Sequence, residues 1–382
     1  CAPSRHIPFS NGKGAGGLRM DIAERIREIE EELRRTPYNK ATQHHIGRLK
    51  AKLARLRQEA EQRRGGGGRG YAVPKEGDAT VVLAGFPSVG KSTLLNALTN
   101  AESQVAEYAF TTLEVVPGML HYNGARIQLL DVPGIIEGAS RGRGRGREVL
   151  SVMRSADLVL LVLDAGDAPR QREAVLRELH EAGIRVNLSP PKVRIVKKER
   201  GGIRVSSTVR LSELTEETVK AVLAEYRIHN AEVVIHEDLT LDRLIDALAG
   251  NRVYVKALTV VNKADTLSEA EAERVLQELG DALLVSAKQG AGLEELKQRI
   301  YSELGLMRVY LKPPGREADL EEPMILPPGS TVRTVCSRLH KDFLRKFRYA
   351  RVWGKSVRFP GQKVGLEHEL ADGDVLSISL DR

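Results

Sequence analysis

An apolar run, Thr80-Val-Val-Leu-Ala84, passes directly into Gly85-Phe-Pro-Ser-Val-Gly-Lys-Ser92 and then into the helical pattern Thr93-Leu-Leu-Asn-Ala-Leu98. Strand, glycine-rich loop and helix in that order satisfy the phosphate-loop pattern G-x-x-x-x-G-K-S/T in its required context. The two glycines let the backbone curl, so that amide groups and a helix N-terminus converge on one anion. Gly85, Phe86, Pro87, Ser88, Val89, Gly90, Lys91, Ser92 and Thr93 are therefore the candidate phosphate cradle. Lys91 is placed to reach the β and γ phosphates, and the Ser92 hydroxyl to serve Mg2+, which takes only a few protein oxygens.

Three further segments carry the rest of a nucleotide site. Asp131 ends the apolar run Ile127-Gln-Leu-Leu130 about 40 residues after the phosphate loop, where its carboxylate lies near the metal. Gly134 follows it, with no side chain to keep its N–H from a γ phosphate. Asn262-Lys263-Ala264-Asp265 closes the run Ala257-Leu-Thr-Val-Val261. A carboxylate at Asp265 accepts two N–H groups of guanine in a charge-assisted pair. Adenine offers an acceptor instead and leaves that carboxylate unpaired, a loss that discriminates strongly. Ser286-Ala287-Lys288 follows another apolar run, with the Ala287 N–H expected to face the guanine carbonyl. Between the first two signatures Tyr108-Ala-Phe-Thr-Thr-Leu113 supplies a threonine for Mg2+ while the γ phosphate is present. Thr112 is the candidate and Thr111 the alternative.

At 382 residues the chain is expected to hold several domains. No apolar stretch approaches the length of a membrane span, and residues 1–19 lack a secretory pattern. Met20 is the expected natural start, with residues 1–19 a disordered extension. Cys1 and Cys336 stand far apart, which fits a reducing compartment, with Cys336 read as a core thiol. The net charge of +8 resides in residues 1–70, which hold 16 Lys and Arg against 8 Asp and Glu.

Within that arm Ile22, Ile26, Ile29 and Leu33, then Ile46, Leu49, Leu53 and Leu56, repeat at helical spacing around a Thr36-Pro37-Tyr38-Asn39 break. A helical hairpin at 20–64 follows, either touching nucleic acid or packing on the rest of the protein, with a glycine-rich linker at 65–76. Residues 77–182 alternate apolar runs with helical patterns, as a parallel sheet covered on both faces requires. The sheet resumes at 251–305. The intervening 183–250 reads as an inserted α/β unit: strands Lys192–Val196 and Ile203–Arg210 joined across Lys197–Gly202, a helix Glu213–Tyr226, a strand Ala231–Ile235 and a helix Leu241–Leu248. Its Lys-Lys-Glu-Arg tip either touches RNA or is solvated.

After Leu306 four short strands, Arg308–Leu311, Glu322–Ile325, Ala350–Val352 and Val375–Leu380, surround one expected helix, Val332–Leu344. Residues 333–358 hold nine Lys and Arg against the single acid Asp342, interleaved with Phe343, Phe347, Tyr349 and Trp353. Cations beside aromatics suit single-stranded RNA. The other reading makes the aromatics core and turns only the cations outward.

The strings Gly85–Leu95, Phe110-Thr-Thr-Leu113, Asp131-Val-Pro-Gly-Ile-Ile-Glu-Gly-Ala139 and the Gly-Arg repeat to Arg147 resemble the Obg-like GTPases. Ile228-His-Asn-Ala231, Gly250-Asn-Arg-Val-Tyr254 and Tyr349-Ala-Arg-Val-Trp-Gly354 narrow the likeness to the developmentally regulated GTP-binding branch. The resemblance spans Met20 to Arg382. It implies a helix-turn-helix, a Ras-like α/β domain interrupted by an S5D2-like insert, and a C-terminal TGS domain of β-grasp fold at 306–382. It also implies a cytoplasmic GTPase that contacts ribosome or RNA.

Hydrolysis of GTP demands positioning and charge neutralisation. Ile135 stands where many small GTPases keep a water-orienting glutamine, so slow intrinsic turnover is expected. Help is expected from K+, although Ser88 stands where potassium-dependent relatives often carry asparagine. An activating protein partner, or an arginine among Arg141, Arg143, Arg145 and Arg147, is the other source. The competing function is an RNA- or ribosome-binding scaffold with a mainly structural nucleotide site.

Overall fold

The computed structural model describes residues 22–37, 39, 42–64, 74–99, 106–107, 114–134, 146–313 and 315–381. Two compact units divide the chain, one formed by Cys1–Arg69 with Pro190–Arg252, the other by Gly70–Ser189 with Val253–Arg382.

The second unit contains an eight-stranded sheet. Its order is Ala282–Leu284, Val253–Asn262, Leu158–Asp164, Ala79–Ala84, Ala125–Asp131, Glu114–Tyr122 and Ala106–Glu107, with Ile184–Val186 beside Val253–Asn262. Pairing is parallel from Ala282–Leu284 to Ala125–Asp131, and Glu114–Tyr122 adds an antiparallel edge. The central strands are unbroken apolar runs because helices cover both faces. Val81, Leu83 and Leu160 pack with Leu94, Leu95 and Leu98 of helix Lys91–Thr99 and with Ile300 of Leu293–Leu304. On the other face Val82, Val159 and Leu161 meet Val149 and Val152 of Gly146–Met153 and Val175 and Leu179 of Ala168–Glu181. The strands carrying Ala84, Asp131 and Asn262 run in parallel, so all three of these ends open on one edge. That edge is where open α/β sheets hold ligands.

The inserted segment begins later than the sequence pattern indicates. Ile184 pairs with Val253 in the large sheet, so the excursion into the other unit runs from Pro190 to Arg252. There the strand order is Val193–Lys197, Ala231–Ile235, Ile203–Ser207. The two strands joined across Lys197–Gly202 do not pair with each other: Ala231–Ile235 lies between them, antiparallel to the first and parallel to the second. Asn230 organises this: Lys198 N donates to its carbonyl at 3.0 Å and Gly202 N to its side-chain oxygen at 2.8 Å. The following helix starts at Glu216, not Glu213, because Thr215 caps it by accepting from Thr218 N.

Both N-terminal helices, Ile22–Arg35 and Gln43–Arg64, belong to this unit. Ile26, Ile29 and Leu33 meet Leu49, Leu53 and Leu56. Ile46, expected in that same seam, lies with Ala51 in the core of the insert beside Val222, Leu241 and Leu244. The arm therefore packs on the protein through a second apolar face. Several of its cations pair locally, Lys50 with Asp242 at 2.9 Å, Arg48 with Glu225 at 3.2 Å and Arg57 with Glu30 at 2.8 Å.

The C-terminal sheet has five strands, in the order Met324–Leu326, Met307–Leu311, Asp374–Leu380, Phe347–Trp353, Gln362–Val364. The last is one more than the sequence pattern indicates. The single helix expected over Val332–Leu344 breaks at His340, whose extended backbone (φ −171°, ψ 151°) separates Val332–Leu339 from Lys341–Arg345. The His340 ring accepts from Asp342 N at 3.2 Å and so caps the second piece. Phe343 and Phe347 pack on the core with Cys336, Ala350 and Val352. No helix among the described residues is long and apolar enough to cross a membrane.

Candidate guanine nucleotide site

Glycine is required at two points of the phosphate loop. A Cβ on Gly85 would lie 2.2 Å from the Val162 carbonyl oxygen, and one on Gly90 would lie 2.4 Å from the Asn262 side-chain nitrogen. Gly90 also has φ +91°, a region that side chains disfavour. Phe86 and Val89 tuck into the sheet cores while Pro87 and Ser88 stay exposed, as do Ser92 and Thr93 on the first helical turn. Lys91 is buried, and its Nζ donates to the Phe86 carbonyl at 3.1 Å. Burial pushes the ammonium below its usual pKa, and the Asp131 charge opposes that.

Asp131 is 6% exposed at the end of its strand and accepts a hydrogen bond from Ser92 Oγ. Burial raises its carboxyl pKa against the opposing Ser92 bond and Lys91 charge. Its Oδ1 is buried and has no hydrogen-bond partner among the described residues. A hydroxyl and a carboxylate with an unused oxygen fit Mg2+, which binds through one or two carboxylates and completes its shell with water and phosphate. Among the described residues no group of three or more His, Cys, Asp or Glu is placed to hold a metal ion. Gly134 lies against the loop itself, since a Cβ there would sit 2.5 Å from Pro87 N. Thr111, Thr112, Ile135 and the arginines Arg141, Arg143 and Arg145 lie outside the described residues, as does the Arg147 side chain.

On the base side Asn262 is 2% exposed and ties two loops together. Its Nδ2 donates to the Val89 carbonyl at 3.0 Å, and its Oδ1 accepts from Ala287 N at 3.1 Å. The Ala287 N–H, expected to face guanine, thus serves Asn262, because a buried amide must have both ends satisfied. Lys263, at φ +65°, donates to the Ser88 carbonyl at 3.0 Å and pairs with Asp164. Burial alone would raise the Asp164 carboxyl, but the bonds from Lys263 and Gly166 N hold it below its usual range. Asp265 accepts from the buried Ser286 hydroxyl, and Lys288 is exposed beside it.

Residues 80–198 match the family profile described as 50S ribosome-binding GTPase. Residues 200–306 match the C-terminal region of the MMR_HSR1 domain, and 307–379 match the TGS domain. An uncharacterized GTP-binding protein of Methanocaldococcus jannaschii is 59% identical over 95% of this chain and 94% of its own length. Developmentally-regulated G-protein 2 of Arabidopsis thaliana is 46% identical over 94% of the chain and 91% of its own. GTP-binding protein 1 of Schizosaccharomyces pombe is 47% identical over 94% and 99%. The chain belongs to the developmentally regulated GTP-binding (DRG) branch of the Obg-like GTPases.

This DRG protein is accordingly a GTP-binding protein with a P-loop GTPase domain and a C-terminal TGS domain. Its fold brings the phosphate loop, Asp131, Gly134, Asn262, Asp265 and Ser286 to the same edge of one sheet. Asp164 is the site residue that motif reading misses. Its signal is its place at the end of the apolar strand Leu158–Asp164, the same position that Asp131 holds on its own strand.

Proposed function

We propose that this DRG protein hydrolyses GTP to GDP and phosphate with slow intrinsic turnover, and that the nucleotide sets its association with ribosome or RNA. The observation that carries this reading is the Asn262 bridge, which locks the base-reading loop to the phosphate loop. Asp265 then selects guanine through its paired acceptors. Lys91 brings positive charge to the β and γ phosphates. Ser92, which is hydrogen-bonded to Asp131, and Thr112 would hold Mg2+, whose charge would offset that of the phosphates. The main-chain N–H of Gly134 faces the γ phosphate.

Ile135 offers no hydrogen bond to an attacking water, so positioning must come from outside. K+ and an activating protein partner are the two sources we assign. Turnover of GTP under single-turnover conditions should be faster in K+ than in Na+. Equal and rapid turnover in both would remove the cation and the slow-switch reading together.

Association with ribosome or RNA draws support from the description of the profile that matches residues 80–198 and from the basic, aromatic C-terminal segment. The free protein is read as a cytoplasmic monomer. Co-sedimentation with ribosomes in a GTP analogue, GDP and no nucleotide tests the switch. More protein should pellet with the analogue, and equal pelleting in all three states would contradict it.

A further inference from the structure

Two non-glycine residues of the site sit in the left-handed region, Ser88 of the phosphate loop and Lys263 of the base-reading loop, both at φ +65°. A side chain disfavours that conformation because its Cβ crowds the following carbonyl oxygen. It persists where surrounding contacts impose it, and such residues gather at functional sites. The contact here is direct, since Lys263 Nζ donates to the Ser88 carbonyl at 3.0 Å. The two strained residues are the two ends of one hydrogen bond.

One residue further along the phosphate loop, the Val89 carbonyl accepts from Asn262 Nδ2 at 3.0 Å. Neighbouring residues of the base-reading loop thus hold neighbouring carbonyls of the phosphate loop. In a planar trans peptide the N–H points opposite to the carbonyl it is joined to. With the Ser88 and Val89 carbonyls drawn toward Lys263 and Asn262, the N–H groups of Val89 and Gly90 turn away from the base-reading loop. Successive N–H groups turned to one side are what an anion cradle requires.

Lysine has a flexible stem and a rotating ammonium, so it fixes a carbonyl only when its own head is anchored. Asp164 Oδ2 lies 2.5 Å from Lys263 Nζ. That carboxylate is itself held, because its Oδ1 accepts from Gly166 N at 3.0 Å and Asp164 N donates to Gln171 Oε1 at 2.9 Å. Asp164 also stands in register with Asn262 on the neighbouring strand. An ordinary exposed ion pair contributes little to stability. This one ends on the carbonyl of a strained residue, so its effect belongs to the conformation of the loop.

We infer that Asp164 is a positioning residue for guanine nucleotide: by anchoring Lys263 it keeps Ser88 left-handed and the phosphate loop set before the nucleotide arrives. The inference rests on guanine nucleotide binding and is independent of the rate of hydrolysis. Without the anchor Ser88 relaxes to a right-handed or extended conformation, and every binding event must restore the strained one. The greatest loss of affinity then equals that strain, about five- to 30-fold. Ser88→Gly removes the strain, because glycine takes positive φ freely, and with it the dependence on Asp164. Ser88→Ala removes the hydroxyl but keeps the Cβ, so the dependence stays.

The test measures affinity and dissociation rate of a fluorescent GDP analogue by stopped flow, on the full chain, for Asp164→Ala in three backgrounds: wild type, Ser88→Gly and Ser88→Ala. The change should weaken binding about five- to 30-fold in the wild-type and Ser88→Ala backgrounds. In Ser88→Gly it should weaken binding less than about twofold, a coupling that independent sites do not show. Asp164→Asn, which keeps an acceptor for Gly166 N and loses the charge, carries the same comparison if Asp164→Ala does not fold. No loss on substitution of Asp164, an equal loss in all three backgrounds, or a loss abolished by Ser88→Ala as well would each overturn the inference. Folded wild-type protein that binds no GDP would instead end the nucleotide reading beneath it.

Discussion

Both ends of the Asn262 amide are committed to main-chain groups of different loops, Val89 on the phosphate side and Ala287 on the base side. Asn262→Ala leaves a buried carbonyl and a buried N–H without partners, at about 1–3 kcal/mol each. GDP affinity should fall at least about tenfold, since 1.4 kcal/mol is already a factor of ten. Titration calorimetry on variant protein with an unaltered far-ultraviolet spectrum checks this, and wild-type affinity would refute the bridging role. At this scale much of the site is legible in the sequence. Gly85 and Gly90 are forced by close approach, and Asp131 announces itself by ending a buried strand. The Lys263–Asp164 pair and the diversion of the Ala287 N–H are not legible, because each joins segments far apart in the chain that only the folded sheet edge brings together.

Helix Gln43–Arg64 shows how an element can be located correctly and yet be only half understood. Its repeat at 46, 49, 53 and 56 reads as one stripe, but Ile46 and Ala51 serve the insert while Leu49 and Leu56 serve the other arm helix. Gly47 lies on the insert side, where an added Cβ would meet Thr218 and Leu241 at 3.4 and 3.5 Å, ordinary contact distances. Gly47→Ala should therefore be neutral or stabilise by up to about 1 kcal/mol, the helix-propensity gain. Gly47→Leu should destabilise by about 1–3 kcal/mol through overpacking, and urea unfolding compares the two. The strands Val193–Lys197 and Ile203–Ser207 fail differently: their spacing is the same whether they pair or admit a third strand between them. In the C-terminal domain Asp372 accepts from Arg308 N, Nε and Nη2 at 2.8–3.0 Å. The hydrogen bond from the Arg308 side chain, opposed by partial burial, holds its carboxyl below the usual range. The stabilisation is present above the unfolded carboxyl value of about 3.9 and is lost as pH falls through the lower folded value. Solvent exposure limits it to about 1 kcal/mol. Asp372→Asn should remove that acid-dependent loss, read from fluorescence of Trp353, the only tryptophan in the chain.

Every buried apolar cluster among the described residues belongs to one of the two units. Sequence order conceals this, because one unit is assembled from the N-terminal helices and a segment more than a hundred residues later. Their separate cores make all-or-none unfolding a poor expectation for the chain. The proposed guanine nucleotide site draws its residues only from the unit of Gly70–Ser189 and Val253–Arg382. At a free concentration about 100 times its dissociation constant the nucleotide should stabilise that unit by about 2.7 kcal/mol and leave the other unchanged. Ile46→Asp, a charge placed at a position 4% exposed in the insert core, should do the reverse, lowering only the other transition. Differential scanning calorimetry should thus resolve two transitions, one moved by GDP and one by Ile46→Asp. A single transition moved by both would mean that the units melt as one body. The paired strands Ile184–Val186 and Val253–Asn262 hold the two ends of the Pro190–Arg252 excursion in register. That pairing lets the excursion unfold as a closed loop without drawing the nucleotide sheet apart.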